Sequence, residues 1–340
     1  MTDDVNPLGR FALAGTAQSR VEEWAAGAQA LALLTLVHEQ GWTAFLAEPR
    51  DLGQLATFSH LPIDTIANIV AVLEAHGFAE RRDGQVRLSP AYAALSADDA
   101  MVDLGNLLDR AELMTRLVRE AAQGTGDLSL GGDDALVIAK AAGGRTTPVT
   151  QAVYGRLLET LPEFAEAIRD GRLLDVGCGV AGFGLTAITM FPNMRSVGIE
   201  LVPTVAAEAE SRAKTLGVAD RVDVRCLDAQ DFDERDAFDA CFWAQPFFPE
   251  HSRAGTLRMI RRALKPGALL VMQEMEREPQ DEAQRLAFVL RRLVYEGLGV
   301  PFAQSAERLI VEGEAAGLAQ PRMVATDFGR IVLMRRPEEG

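Results

Sequence analysis

The chain has 340 residues, 48% of them apolar, with 34 Lys and Arg against 49 Asp and Glu, for a formal charge of -15. Such a length exceeds the usual single domain and supplies apolar side chains for two cores, while the negative balance argues against a nucleic-acid partner, whose affinity comes largely from neutralised phosphates. No run of about 18 uncharged apolar residues is present, which argues against a membrane span, and the acidic opening from Met1 to Arg10 has no apolar leader core, so a cytoplasmic protein is expected.

Residues 20 to 97 read as a compact helical unit closed by a hairpin. Val21 to Gln40 carries apolar residues at helical spacing and ends near Gly41. Asp51 opens a short helix, and Pro62 to His76 forms a second one (Ile63, Ile66, Ile69, Val70, Leu73), stopped by Gly77. Two short segments, Phe78 to Arg81 and Val86 to Leu88, then flank Asp83-Gly84, a strong hairpin signal. Helix, helix and an Asp-Gly wing make the pattern of a winged helix. Its recognition segment, Pro62 to Ala75, has no Lys or Arg to meet a phosphate or a guanine edge, so dimerisation or a substrate lid is the expected role rather than DNA binding.

Residues 98 to 123 suggest another amphipathic helix, and the Gly-, Asp- and Thr-rich residues 124 to 148 a hinge or loop. The resulting division is 1–100, a mainly α winged-helix domain; 101–149, a linker helix and loop; and 150–340, a Rossmann-like α/β domain. From Gly171 short apolar runs alternate with helices, the mark of a parallel sheet. The predicted strands are Leu173–Val176, Ser196–Ile199, Val222–Cys226, Ala237–Trp243 and Ala268–Met272, with Arg322–Thr326 and Arg330–Met334 as a final antiparallel pair.

Cys178, Cys226 and Cys241 are too few and too scattered for a disulfide framework or a zinc site and are expected as small reduced core residues. His38, His60, His76 and His251 show no ligand spacing, so no metal is expected.

The chemistry concentrates in Leu174-Asp175-Val176-Gly177-Cys178-Gly179-Val180-Ala181-Gly182, a strand running into a glycine turn and a helix. Glycines let the backbone approach a ligand closely, and the helix N-terminus offers free N–H groups suited to a carboxylate or a phosphate. Glu200 ends the next strand, where a carboxylate can accept bonds from both ribose hydroxyls. Gly177, Gly179 and Gly182 also satisfy G-x-G-x-x-G, so this motif alone does not separate NAD from S-adenosylmethionine. Three features favour the second ligand. Asp175 can face an ammonium but would sit poorly beside a pyrophosphate; Asp228 follows the third strand, where an acid can bond the adenine amino group; and no separate catalytic domain follows the sheet.

With those residues in view, segment 150–336 resembles the class I S-adenosylmethionine-dependent methyltransferases. The whole chain is similar to their small-molecule subgroup with an N-terminal winged-helix dimerisation domain, the acetylserotonin and caffeate O-methyltransferase type. Further matching pieces are Gly198-Ile199-Glu200, Leu227-Asp228-Ala229, Arg262 to Gly267, and Ser305 to Leu318. The resemblance implies S-adenosylmethionine as cofactor and a homodimer formed through the N-terminal domain. It also implies Asp175, Gly177 and Gly179 at the methionine end, Glu200 on the ribose, and Asp228 with Ala229 at the adenine. Leu201 would pack beside the adenine ring. Trp243 either floors the pocket after the fourth strand or is a core aromatic, and Tyr154 either reaches the methionine carboxylate or packs in the core.

O-methyltransferases of this subgroup place a base histidine just after the fourth strand. Here the stretch reads Trp243-Ala244-Gln245-Pro246-Phe247-Phe248-Pro249-Glu250-His251, with Gln245 or Pro246 at that position. The candidate catalytic residues are therefore Gln245, whose carbonyl would align an amine, and His251, which is otherwise an exposed helix-start residue. Without a base, transfer would rest on an in-line, dry arrangement with a small, natural-product-like acceptor through O, N or C. Phe247, Phe248, Arg292 and Tyr295 are the expected substrate wall, with Arg291 as alternative to Arg292 for a substrate carboxylate. Gln273-Glu274-Met275-Glu276 offers carboxylates at the pocket mouth or on the solvated surface. The competing classes are an NAD-dependent oxidoreductase and a winged-helix regulator with a vestigial cofactor domain.

Overall fold

The computed structural model describes residues 6–124, 128–275 and 277–338. Glu276 and the first five residues of the acidic opening lie outside the described residues. The chain divides into two compact units: residues 1–98 with 103–108, and residues 99–102 with 109–340. Among the described residues no single helix is long and apolar enough to cross a membrane.

In the first unit, α1 (Pro7–Glu39) starts well before the expected Val21. Asn6 caps it by accepting a hydrogen bond from the Gly9 amide at 2.8 Å, and Pro7 occupies the first turn, where a missing N–H is no loss. After α2 (Trp42–Phe45), a capping box of Asp51 and Gln54 opens α3 (Leu52–Ser59). Helix α4 (Ile63–Ala75) ends at Gly77, whose φ is +68°. Strands β1 (Ala79–Arg82) and β2 (Gln85–Leu88) pair antiparallel across Asp83 and Gly84, both at positive φ as a two-residue hairpin turn requires. With α5 (Pro90–Leu95), this helix pair and wing close over a core of Trp42, Leu55, Ile66, Val70, Phe78 and Val86. The wing's Arg81 and Arg87 are paired with Glu74 and Glu80.

Helix α6 (Leu104–Gln123) gives its first residues, through Leu108, to the first unit and the rest to the second. The segment expected to be a linker and loop instead contains α7 (Gly132–Ala142). Its flanking Gly and Asp residues read as loop, but Asp133 and Asp134 suit a helix N-terminus, and burial of Ile138 and Ala141 holds the rest. Thr204 further ties it down, its hydroxyl donating to the Gly132 carbonyl at 2.9 Å.

Then come α8 (Pro148–Thr160), α9 (Pro162–Arg169), β3 (Arg172–Val176), α10 (Gly182–Met190), β4 (Arg195–Glu200), α11 (Pro203–Thr215), β5 (Val222–Cys226), β6 (Phe238–Trp243), α12 (Glu250–Ala263), β7 (Leu264–Gln273), α13 (Glu282–Gly297), α14 (Ala306–Ala315), β8 (Ala319–Thr326) and β9 (Gly329–Arg335). The strands form one sheet in the order β5-β4-β3-β6-β7-β9-β8, and only β9 runs antiparallel to its neighbours. This is the Rossmann-like arrangement with an antiparallel last strand that the sequence predicted. Alternation along β3 sends Leu173 into one apolar layer and Leu174 into the other, so helices cover both faces. Chain order reverses between β3 and β6, which opens a crevice at the carboxyl ends of these strands. Of the three cysteines only Cys241 is buried; Cys226, at a strand end, is exposed, and Cys178, in the glycine turn, is half-buried.

Candidate active site

The crevice is built on the turn after β3. The amides of Gly177 and Cys178 donate to the Ile199 carbonyl at 2.9 and 3.0 Å, pinning the turn to the end of β4. Gly177 has φ +70°, and a Cβ there would lie 2.6 Å from the Phe248 ring. A Cβ on Gly179 would meet nothing within 4 Å, so open space lies above that residue. At Gly182 a Cβ would come 2.7 Å from the Gly144 carbonyl and 2.9 Å from its amide. The third glycine of the motif thus has a cause inside the chain: the backbone of residues 143–144 crosses the start of α10.

Asp175 on β3 is 3% exposed. Burial, then the charge of Glu200, push its carboxyl up to about 7, against an opposing hydrogen bond from the Gly184 backbone. Glu200, at the end of β4, accepts hydrogen bonds from the amides of Gly179 (3.1 Å) and Val202 (2.8 Å). Burial raises it too, and these backbone bonds oppose the rise. Two acids on adjacent strands therefore stand partly desolvated beside the glycine turn. Leu201, next along, is 63% exposed. Asp228 caps the short turn Ala229–Asp231 by accepting from the Gln230 amide at 2.8 Å, and Ala229 is buried.

Tyr154 on α8 packs edge-on to Phe183, with ring centres 5.3 Å apart. Burial and then the Asp175 charge push its hydroxyl up to about 12. Trp243 is fully buried in the apolar layer with Val176, Cys241 and Met272, so its indole belongs to the core.

After β6 the chain makes a tight turn, Gln245–Phe247. Gln245 is buried, and its side-chain amide donates to the Gln273 carbonyl at 3.0 Å. Its Oε1 is enclosed and has no protein partner, so the structure makes Gln245 an anchor of the turn rather than an open catalytic side chain. His251 is exposed in the first turn of α12, the helix-start position weighed for it. Phe247 lies 6.1 Å from Tyr295, which continues through Phe302 (5.5 Å) to Phe288 (5.0 Å), while the Arg292 guanidinium covers the Phe288 ring at 4.9 Å. The expected wall residues Phe247 and Tyr295 are thus brought together, and Phe248 turns to the glycine turn instead. Glu274 is neither at an open mouth nor solvated: it is buried, bridged by Arg330 at 2.7 and 2.5 Å, and accepts from the Ala306 amide at 3.2 Å. Arg330 holds its carboxyl below the ordinary range. Sequence reasoning missed Gly143-Gly144 over α10 and a buried Arg253 beside Trp243; the first left a Gly-Gly signal, the second none.

The donor set fits a ligand carrying both an ammonium and vicinal hydroxyls. Two raised carboxyls gain from a cation or from O–H donors, the glycine turn leaves room above it, and Leu201 offers an apolar edge beside Glu200.

Residues 173–267 match the methyltransferase domain family. The chain is 36% identical over 80 residues to a 23S rRNA (uracil(747)-C(5))-methyltransferase of Cronobacter sakazakii, an alignment covering 24% of this chain and 20% of that protein. It spans only about a fifth of the length of that relative. Over nearly the full chain it is similar to solved structures: an O-methyltransferase family protein from Burkholderia thailandensis (TM-score 0.72, 14% identity, 95% of this chain and 98% of that one) and the mitomycin 7-O-methyltransferase (TM-score 0.64, 20% identity, 96% and 99%). Residues 173–267 thus match a methyltransferase domain, and nearly the whole chain shares its fold with solved O-methyltransferases.

Proposed function

We propose that the protein transfers a methyl group from S-adenosylmethionine to a small, natural-product-like molecule. The observation that carries this reading is the pair of raised carboxyls, buried Asp175 and half-buried Glu200, flanking an open glycine turn. Solved proteins of this fold hold the cofactor or S-adenosylhomocysteine, and one of them methylates mitomycin. The matched uracil methyltransferase acts on 23S rRNA. Here the net charge of -15 and the paired wing arginines favour a small acceptor over RNA.

In this reading Asp175 takes the methionine ammonium, the Gly177 to Gly179 turn makes room for the methionine tail, Glu200 takes the ribose hydroxyls, and Leu201, Asp228 and Ala229 border the adenine. The bound cofactor supplies a methyl group already activated on a sulfonium. What remains for the chain is to hold an acceptor in line and keep water out. Phe247, Tyr295 and Phe302 give an aromatic wall for that purpose, and Arg292 a cation beside it. With Gln245 anchored and His251 exposed, the proposal assigns no general base, so the acceptor is an amine, a carbon nucleophile, a carboxylate or an acidic phenol. Calorimetric titration with S-adenosylhomocysteine and, separately, NADH tests the reading: the first is expected to bind and the second not. Glu200→Ala should weaken S-adenosylhomocysteine binding by roughly 1–3 kcal/mol, the cost of a lost charge-assisted bond. Unchanged affinity would remove Glu200 from the site. Methylation of a panel of phenols, amines and carboxylates with labelled cofactor then sorts the acceptor atom.

We further assign dimerisation to the winged-helix part, 1–100, and catalysis to 150–340. Helix α1 leaves Phe11 80% and Trp24 61% exposed, apolar surface of the kind that marks a protein partner, and a second copy is the occupant proposed here. Light scattering should give a dimer for the full chain and a monomer for Phe11→Asp/Trp24→Asp. A monomeric parent chain would end this assignment.

A further inference from the structure

Arg253, in the first turn of α12, is only 2% exposed, and a guanidinium is tolerated in such a place when every arm is occupied. Its Nε and Nη2 donate to Glu312 of α14 at 3.1 and 2.7 Å. Its Nη1 donates to the Gln245 carbonyl at 2.9 Å, and its plane lies 4.9 Å from the centre of the Trp243 ring. The Gln245 carbonyl also accepts from the Phe248 amide at 3.2 Å, the bond that closes the turn after β6. Phe248 in turn meets Trp243 edge-on at 5.4 Å and reaches the space a Cβ on Gly177 would occupy. One cation therefore touches the last residue of β6 and the carbonyl that shapes the loop between cofactor turn and aromatic wall. Apolar packing would be the more stabilising way to fill such a site, but only a planar fork fixes three groups in direction at once.

We propose that Arg253, clamped by Glu312, is a positioning residue: it sets where Phe247 and Phe248 stand relative to the glycine turn and so fixes the shape of the acceptor pocket. The inference rests on the methyltransferase reading for what that pocket receives, not for the clamp itself. Hydrogen exchange followed by mass spectrometry on the full chain tests it, with S-adenosylhomocysteine titration in parallel. Arg253→Met and Glu312→Gln should speed exchange in residues 244–251 by about tenfold, and Arg253→Lys should restore part of the protection. Residues 172–182 should exchange as in the parent, and S-adenosylhomocysteine affinity should stay within about twofold, because the clamp acts on the acceptor side. If Arg253→Met fails to fold, the near-isosteric Glu312→Gln and the charge-keeping Arg253→Lys decide. Unchanged exchange in 244–251, or an equal rise across the whole sheet, overturns the proposal. Failure of the parent chain to bind S-adenosylhomocysteine would instead strike the methyltransferase reading and leave the exchange result to judge the clamp.

Discussion

Asp175→Asn is expected to raise the melting temperature at pH 8 and to lose that advantage progressively as pH falls from about 7 to about 4. The buried carboxyl titrates near 7 instead of 3.8, so between those values the folded state binds more protons than the unfolded one. Stability then falls as pH rises through that window. Above about 7 the full burden of an ionised, desolvated Asp175 is present, roughly 4 kcal/mol at about 1.4 kcal/mol per tenfold, and asparagine removes it. The same proton governs binding. Glu200 adds repulsion, and Tyr154, Cys178 and Cys241, all pushed up by burial and by the Asp175 charge, are neutral in this range. A ligand ammonium selects the ionised carboxylate, so S-adenosylhomocysteine should bind up to about tenfold more weakly for each pH unit below 7 and evenly from 7 to 8. In Asp175→Asn the affinity should be lower and flat. Calorimetry at pH 5.5 to 8 reads both. A flat profile in the parent chain, or a less stable asparagine variant at pH 8, would remove Asp175 from the ammonium site.

Gly177→Ala should both destabilise the second unit and cut S-adenosylhomocysteine affinity sharply. Its φ of +70° is a left-handed conformation, which costs an L-residue roughly 1–2 kcal/mol. The added methyl would also stand 2.6 Å from the Phe248 ring, which Trp243 backs, and overpacking of this kind costs roughly 1–3 kcal/mol more. Either Phe248 moves into the acceptor side or the turn opens, and the amides of Gly177 and Cys178 then leave the Ile199 carbonyl. The double variant Gly177→Ala/Phe248→Ala isolates the steric part, because it should recover affinity relative to Gly177→Ala alone. Parent-like melting and affinity in Gly177→Ala would show that the turn tolerates a side chain and is not closely shaped.

Local patterns carried much of this. The positions of strands β3 to β7 along the chain, the Asp-Gly wing, the antiparallel last pair and the glycine turn all follow from spacing of two, spacing of three to four, and turn chemistry, each complete within a dozen residues. The same holds for the placement of Asp175 and Glu200 near the ends of adjacent strands. Helix α7 was not legible, since its Gly and Asp flanks look like loop until Ile138 and Ala141 find a layer to bury against. Trp243 could not be told from a pocket floor by a pattern that both roles share.

What the sequence alone determined is the parallel α/β sheet and the acid–glycine turn at its crevice, because strand period and turn residues act over short range. The tertiary structure decided the partners. Arg253 and Glu312 stand 59 positions apart and Glu274 and Arg330 stand 56 apart, and nothing local marks either pair. Gly182 is needed because residues 143–144 cross it. Burial and pairing depend on which surfaces the folded chain brings together, and that information exists only after packing.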